Sequence, residues 1–112
     1  MKNKTINVLG TEYVVIFGNE ENFDYLKNND GYCDYSDKTI VVSDFENAEG
    51  EVCENIPVIQ NKVLRHEIGH AFMYESGITG VSDLTEEQIV EWVAIQAPKM
   101  FKIFGELGIL DD

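Results

Sequence analysis

The sequence predicts an α+β fold: a small, twisted, mostly antiparallel sheet packed on one long helix, with a second helix following it. Three observations carry this. The N-terminal half holds short runs rich in β-branched and aromatic residues, the composition of strands. The C-terminal half holds apolar residues at helical spacing, bounded by capping residues. The two kinds of segment are segregated along the chain rather than alternating, as in α+β rather than α/β architectures. With 112 residues, 44% of them apolar, the chain makes one domain over residues 1–112 with a single modest core.

Thr5 to Leu9 and Glu12 to Phe17 read as two strands, and the Gly10-Thr11 link between them suits a tight hairpin. Asn19 is placed to cap a short helix through Phe23 and Leu26 that ends at Asn29-Asp30-Gly31. Tyr32 to Tyr35 and Thr39 to Ser43 form a second β region around a Ser36-Asp37-Lys38 turn. The sheet therefore has roughly three to four strands. Asp44 to Asn55 is acidic and reads as a loop. A helix starts at Asn55-Ile56-Pro57, where proline's missing N–H costs nothing, and runs to about Ser76 before Gly77. The next has Thr85 as N-cap, Gln88 completing a capping box and Leu84 with Ile89 at the staple positions. It runs to about Ala97, where Pro98 ends or kinks it. Met100, Phe101, Ile103, Phe104 and Leu107 mark a last amphipathic segment.

Charge excludes several function classes. Eight basic residues against 21 acidic ones leave a net charge of −13, which opposes binding to nucleic acid or to an anionic membrane. No apolar run approaches the roughly 20 residues that span a bilayer, and the basic start is followed by no secretory apolar stretch. A cytoplasmic location with Cys33 and Cys53 reduced is the expectation.

The chemistry concentrates in His66-Glu67-Ile68-Gly69-His70. Residues four apart lie on one helical face, so both imidazoles can reach one metal ion. Glu67, rotated about 100° from His66, can touch a water beside the metal and act as general base. These are the only two histidines in the chain. The alternative is an ordinary helix face carrying two histidines and a carboxylate.

A catalytic zinc site takes three protein ligands and keeps one open position. With no third histidine, the remaining ligand must be a carboxylate, and Asp83, Glu86, Glu87 and Glu91 are the candidates. Glu87 and Glu91 share a face, which suggests that Glu87 ligates the metal while Glu91 accepts a hydrogen bond from a ligand histidine. The competing account is an acidic first turn that complements the helix dipole. Trp92, Val93, Phe101 and Phe104 read as core, and Gly69 as permitting close backbone approach at a helix crossing.

Arg65 to Phe72, then Glu75-Ser76-Gly77, then Glu87 to Ala94 resemble the H-E-x-x-H peptidases of the gluzincin group. The closest look is to very small versions carried by phages and mobile elements of Firmicutes, related to the ImmA/IrrE-type peptidases. The likeness covers about Lys62 to Lys99, and more loosely the strand Thr39 to Ser43. It implies a zincin-like minimal core in which the second helix carries the glutamate ligand. Both the E-x-x-x-D pattern of gluzincins and the E-x-x-A-N-x-F-A pattern of the ImmA/IrrE-type proteins fall with their glutamate on Glu87. Glu91 stands where the family more often has Asp or Asn. The resemblance implies one Zn2+ per chain on His66, His70 and Glu87, and a metallopeptidase that hydrolyses peptide bonds by metal-activated water with Glu67 as general base. It implies a peptide or protein substrate in extended form, paired along strand 39–43 if that strand is an edge; a plain core strand is the other reading. Two rival functions stand beside it: a zinc-binding regulatory or interaction module, toxin- or antirepressor-like, without independent peptidase activity, and hydrolysis of a non-peptide amide. Neither Tyr74 nor Arg65 is assigned as oxyanion stabiliser.

Overall fold

The computed structural model describes residues 3–46 and 55–110. The acidic segment predicted as a loop lies largely outside the described residues, as does Cys53. Strands β1 (Lys4–Val8) and β2 (Thr11–Gly18) form an antiparallel hairpin that pairs Lys4 with Val15 and Val8 with Thr11. The turn is Leu9-Gly10, one residue earlier than the sequence predicts, with φ +53° and +95°. Two positive φ values in a two-residue turn match the right-handed twist of the strands. The Asn7 side chain accepts the Gly10 N–H at 2.7 Å and fixes it.

The helix expected from Asn19 does not form; the segment holds one short 3-10 turn, Asp24–Lys27. Asn19 spends its side-chain oxygen on the backbone N–H groups of Glu21 and Asn22, both at 3.1 Å. Those are the bonds of an N-cap, as expected of Asn19, but only a turn follows them before the 3-10 segment.

Strands β3 (Gly31–Asp34) and β4 (Thr39–Ser43) form a second antiparallel hairpin. The two hairpins join through a parallel β2–β4 pair, Val14 against Thr39 through Gly18 against Ser43, in the order β1-β2-β4-β3. Strand 39–43 is therefore not an edge. It is paired on both sides and cannot accept a further strand, and its Ile40-Val41-Val42 run is almost wholly buried, as an interior strand's continuous apolar sequence requires. The edges are β1 and β3.

Helix α1 (Ile56–Glu75) lays Leu64, Ile68, Ala71 and Phe72 on one sheet face against Ile6, Val8, Tyr13, Val15, Ile40 and Val42. It ends as the sequence predicts, with Gly77 left-handed at φ +82°. Helix α2 (Glu86–Leu107) has the predicted capping box: Gln88 N–H donates to Thr85 Oγ1 at 3.2 Å, and Thr85 N–H to Gln88 Oε1 at 2.9 Å. It does not stop at Ala97 but continues through Pro98. An interior proline costs about 3 kcal/mol. Pro98 and Ala94 are both exposed, so the Ala94 carbonyl deprived of its donor can turn to water, while burial of Ile103 and Phe104 offsets the rest.

The two helices run antiparallel. Trp92 Nε1 donates to Ser76 Oγ at 2.8 Å, Met100 lies beside Gly69, and Arg65 donates to the Ile109 carbonyl at 2.8 Å. The crossing at Gly69 is not tight: a Cβ there would meet only the Met100 methyl, at 3.9 Å. The far end of α1 is tied to the sheet by Glu75. Its carboxylate accepts the Tyr13 hydroxyl at 2.6 Å, the Thr11 hydroxyl at 3.0 Å and the Lys38 ammonium at 2.8 Å.

Candidate metal centre

The register of α1 on the sheet sets the site. With Leu64, Ile68, Ala71 and Phe72 turned to the core, the 3.6-residue period turns His66 and His70 to the flank of the helix and Glu67 to the border between flank and core. The Nε2 atoms of His66 and His70 lie 3.1 Å apart, with ring centroids 4.8 Å apart. Glu67 joins them: one ligand atom from each of the three residues fits within 4.8 Å of the others. This group could hold a metal ion.

The spacing can be tested against zinc. Zinc–imidazole bonds of about 2.0–2.1 Å across a 3.1 Å separation of the nitrogens give an angle of roughly 100°, near the tetrahedral value. Without a metal, this spacing is a hydrogen bond when one Nε2 carries a proton and the other is bare.

Glu67 is only 7% exposed. Burial raises its carboxyl pKa above the usual value, and the two histidines partly oppose that. Its place against β3 depends on Gly31. A Cβ at Gly31 would stand 2.6 Å from Val63 Cγ1, 2.9 Å from the Val41 carbonyl oxygen and 3.5 Å from Glu67 Cγ. Only glycine allows the strand so close to the helix.

A cleft of about 410 Å³ opens over the three residues, and edge strand β3 forms its other wall with Gly31, Tyr32 and Cys33. Tyr25, Asn29 and Tyr35 complete the lining. Burial pushes the Cys33 thiol up to about 12, with the Glu67 and Asp34 carboxylates adding to the effect. The Tyr35 hydroxyl is also raised, first by burial and then by Cys33 and Glu67. The sequence assigned no role to these tyrosines. The available signal was three aromatic residues within one short stretch, Tyr25 ahead of, Tyr32 within and Tyr35 just after strand β3. A second cavity touches His66 from the other side, between α1 and the end of α2, lined by Lys62, Met100, Phe101 and Leu110.

The structure does not bring Glu87 or Glu91 to the histidines. Met100 is abreast of Gly69, and Glu87, 13 residues before Met100, lies roughly 20 Å further along the helix axis. Glu91 sits near Ser76, Gly77 and Ile78, beyond the end of α1. Both glutamates are exposed, in the first turns of α2, as the dipole account requires. Asp83 and Glu86 are exposed nearby. Among the described residues no other carboxylate joins the group. Tyr74 stacks on Tyr35 with centroids 4.4 Å apart.

No family model, curated protein or solved structure matches this chain. No described helix is long and apolar enough to cross a membrane.

Proposed function

We propose that the chain is a small zinc-dependent metallopeptidase of H-E-x-x-H type. The observation that carries this is the pair of imidazole nitrogens 3.1 Å apart with a buried carboxylate beside them, facing an open cleft. His66 and His70 would hold the ion. A bound zinc supplies Lewis acidity toward a carbonyl oxygen and makes water in the site more acidic. Glu67 takes the proton from the attacking water and passes it to the leaving amine. Its raised pKa moves a carboxylate toward the range in which a general base works best at neutral pH. The substrate strand pairs with β3, the edge that borders the cleft, in place of strand 39–43.

One observation favours a second reading. Two histidines and the adjacent Glu67 leave the usual third ligand from the following helix unsupplied, which suits a zinc-binding interaction module. One experiment separates the two. Glu67→Gln is assayed for zinc stoichiometry by calorimetry and for cleavage of a peptide library by mass spectrometry. A peptidase keeps its zinc and loses cleavage in this variant, while His66→Ala loses both. Zinc binding by the parent with no cleavage of any peptide moves the assignment to the module. Undiminished cleavage by Glu67→Gln refutes the mechanism.

A further inference from the structure

Helix α2 shows an apolar stripe that is largely exposed among the described residues. At about 100° per residue, Val90, Val93, Ala94, Ala97 and Phe101 fall on one side of it, bordering the Trp92, Gln96, Met100 and Ile103 side that meets the rest of the molecule, with Val93 next to Met100 at the border and Phe104 turning into the core at the C-terminal end. Val90 is 54% exposed, Val93 48% and Phe101 56%. The spacing i, i+3, i+4, i+7, i+11 is that of a helix-pairing seam.

The order of sizes and charges along the stripe points to its occupant. With Val93 at its border, the centre of the stripe runs larger, small, small, larger: Val90, Ala94, Ala97, Phe101. Charge is unequal between the two ends, with Glu86, Glu87 and Glu91 in the first half and Lys99 and Lys102 in the second, where Glu106, beyond the stripe, is the one acid. A sequence of this kind is complementary to itself reversed. We propose that α2 is a self-association surface on which two copies of this chain pair antiparallel about a two-fold axis between Ala94 and Ala97. Ala94 then faces the second copy's Ala97, which lets the backbones approach, and Val90 faces its Phe101. In an antiparallel pair the same flank of each helix meets its twin. Glu87, Glu91 and Lys102 share one flank, so each Lys102 falls between the other copy's Glu87 and Glu91. The seam is isologous, as a closed dimer requires. One helix face is a small interface, so the dimer is reversible and concentration-dependent.

The test is sedimentation velocity on the full chain over a concentration series, with chelator present so that metal plays no part. The parent reaches twice the chain mass. Ala94→Arg, at an exposed position on the two-fold axis, stays monomeric with an unchanged circular dichroism spectrum. Lys102→Glu weakens association roughly ten-fold, and so does Glu87→Lys combined with Glu91→Lys. Mixing these two weakened proteins restores the dimer, because both junctions of the mixed pair are then attractive. A parent that is monomeric throughout overturns the proposal. So does a dimer indifferent to Ala94→Arg, or a mixture that associates no better than its components.

Discussion

Glu75→Ala tests how the far end of α1 is held. In the native protein the Glu75 carboxylate accepts hydroxyl hydrogen bonds from Tyr13 at 2.6 Å and Thr11 at 3.0 Å. Hydrogen bonds to a charged acceptor contribute about 1.5–3 kcal/mol, and a buried hydroxyl left without a partner costs about as much again as a neutral bond. Tyr13 is wholly buried, so its hydroxyl has no water to turn to. The Lys38 ammonium also bonds Glu75 at 2.8 Å; its side chain is 35% exposed, so solvent screening reduces its share. The expected loss is about 3 kcal/mol, or roughly 10 °C in Tm for a domain this size. The assay is urea unfolding of the parent, Glu75→Ala, Tyr13→Phe and the double variant. Tyr13→Phe keeps the ring in the core and removes only the donor, so the cycle isolates the bond, with a coupling of about 1 kcal/mol or more. A loss under about 1 kcal/mol, or strictly additive variants, refutes the reasoning.

Gly31→Ala is destabilising and displaces β3 from α1, because one of its close contacts is the Val41 backbone; Gly69→Ala stabilises by up to about 1 kcal/mol, since its Cβ meets only ordinary van der Waals contact. Thermal melts of the two variants must move in opposite directions. Leu9→Asn stabilises by about 0.5–1 kcal/mol, because Leu9 holds φ +53° in the hairpin turn, where Asn-Gly is favoured; a lower Tm contradicts this. Glu75 has a lowered pKa, chiefly from the Lys38 ammonium and then the Tyr13 hydroxyl. Its contribution is present above the unfolded carboxylate value of about 4.3 and is lost as pH falls through the lower folded value. The stability gap between the parent and Glu75→Gln therefore narrows in that acid window. Glu67 has the opposite sign: its pKa is raised by burial, so its ionised form opposes folding at neutral pH. Glu67→Gln stabilises the metal-free protein at pH 7, and the gain fades in acid.

What the sequence made legible was what depends on neighbours along the chain. The H-E-x-x-H face, the Thr85–Gln88 box and the Gly77 stop are each settled within one or two helical turns, and the structure has all three features. Positions that depend on how distant segments meet were not legible. Glu87 and Glu91 were placed by their spacing on their own helix. Their reach to the histidines depends on the offset between α1 and α2, which the connection 77–84 and the Trp92–Ser76 contact set. Strand 39–43 reads the same as an edge or as a centre, because only the parallel pairing with β2 decides it. At Pro98 local propensity was overridden by packing further along, where Ile103 and Phe104 enter the core. The tyrosines of the cleft come together only once β3 lies against α1.

The way the sheet is joined also sets an order of assembly. Each hairpin closes over a few residues and can form early, but neither is stable alone. The parallel seam between β2 and β4 brings Val14 to Thr39 and must wait for everything between them to order, a loop-closure cost that slows folding. Substitutions at Val15 or Ile40 on that seam should slow refolding more than substitutions within β1. In the metal-free chain, amide exchange should release the two ribbons as separate units before either unravels. The histidines ride on the helix that bridges both ribbons, so a zinc ion held there would bear on the last step of folding.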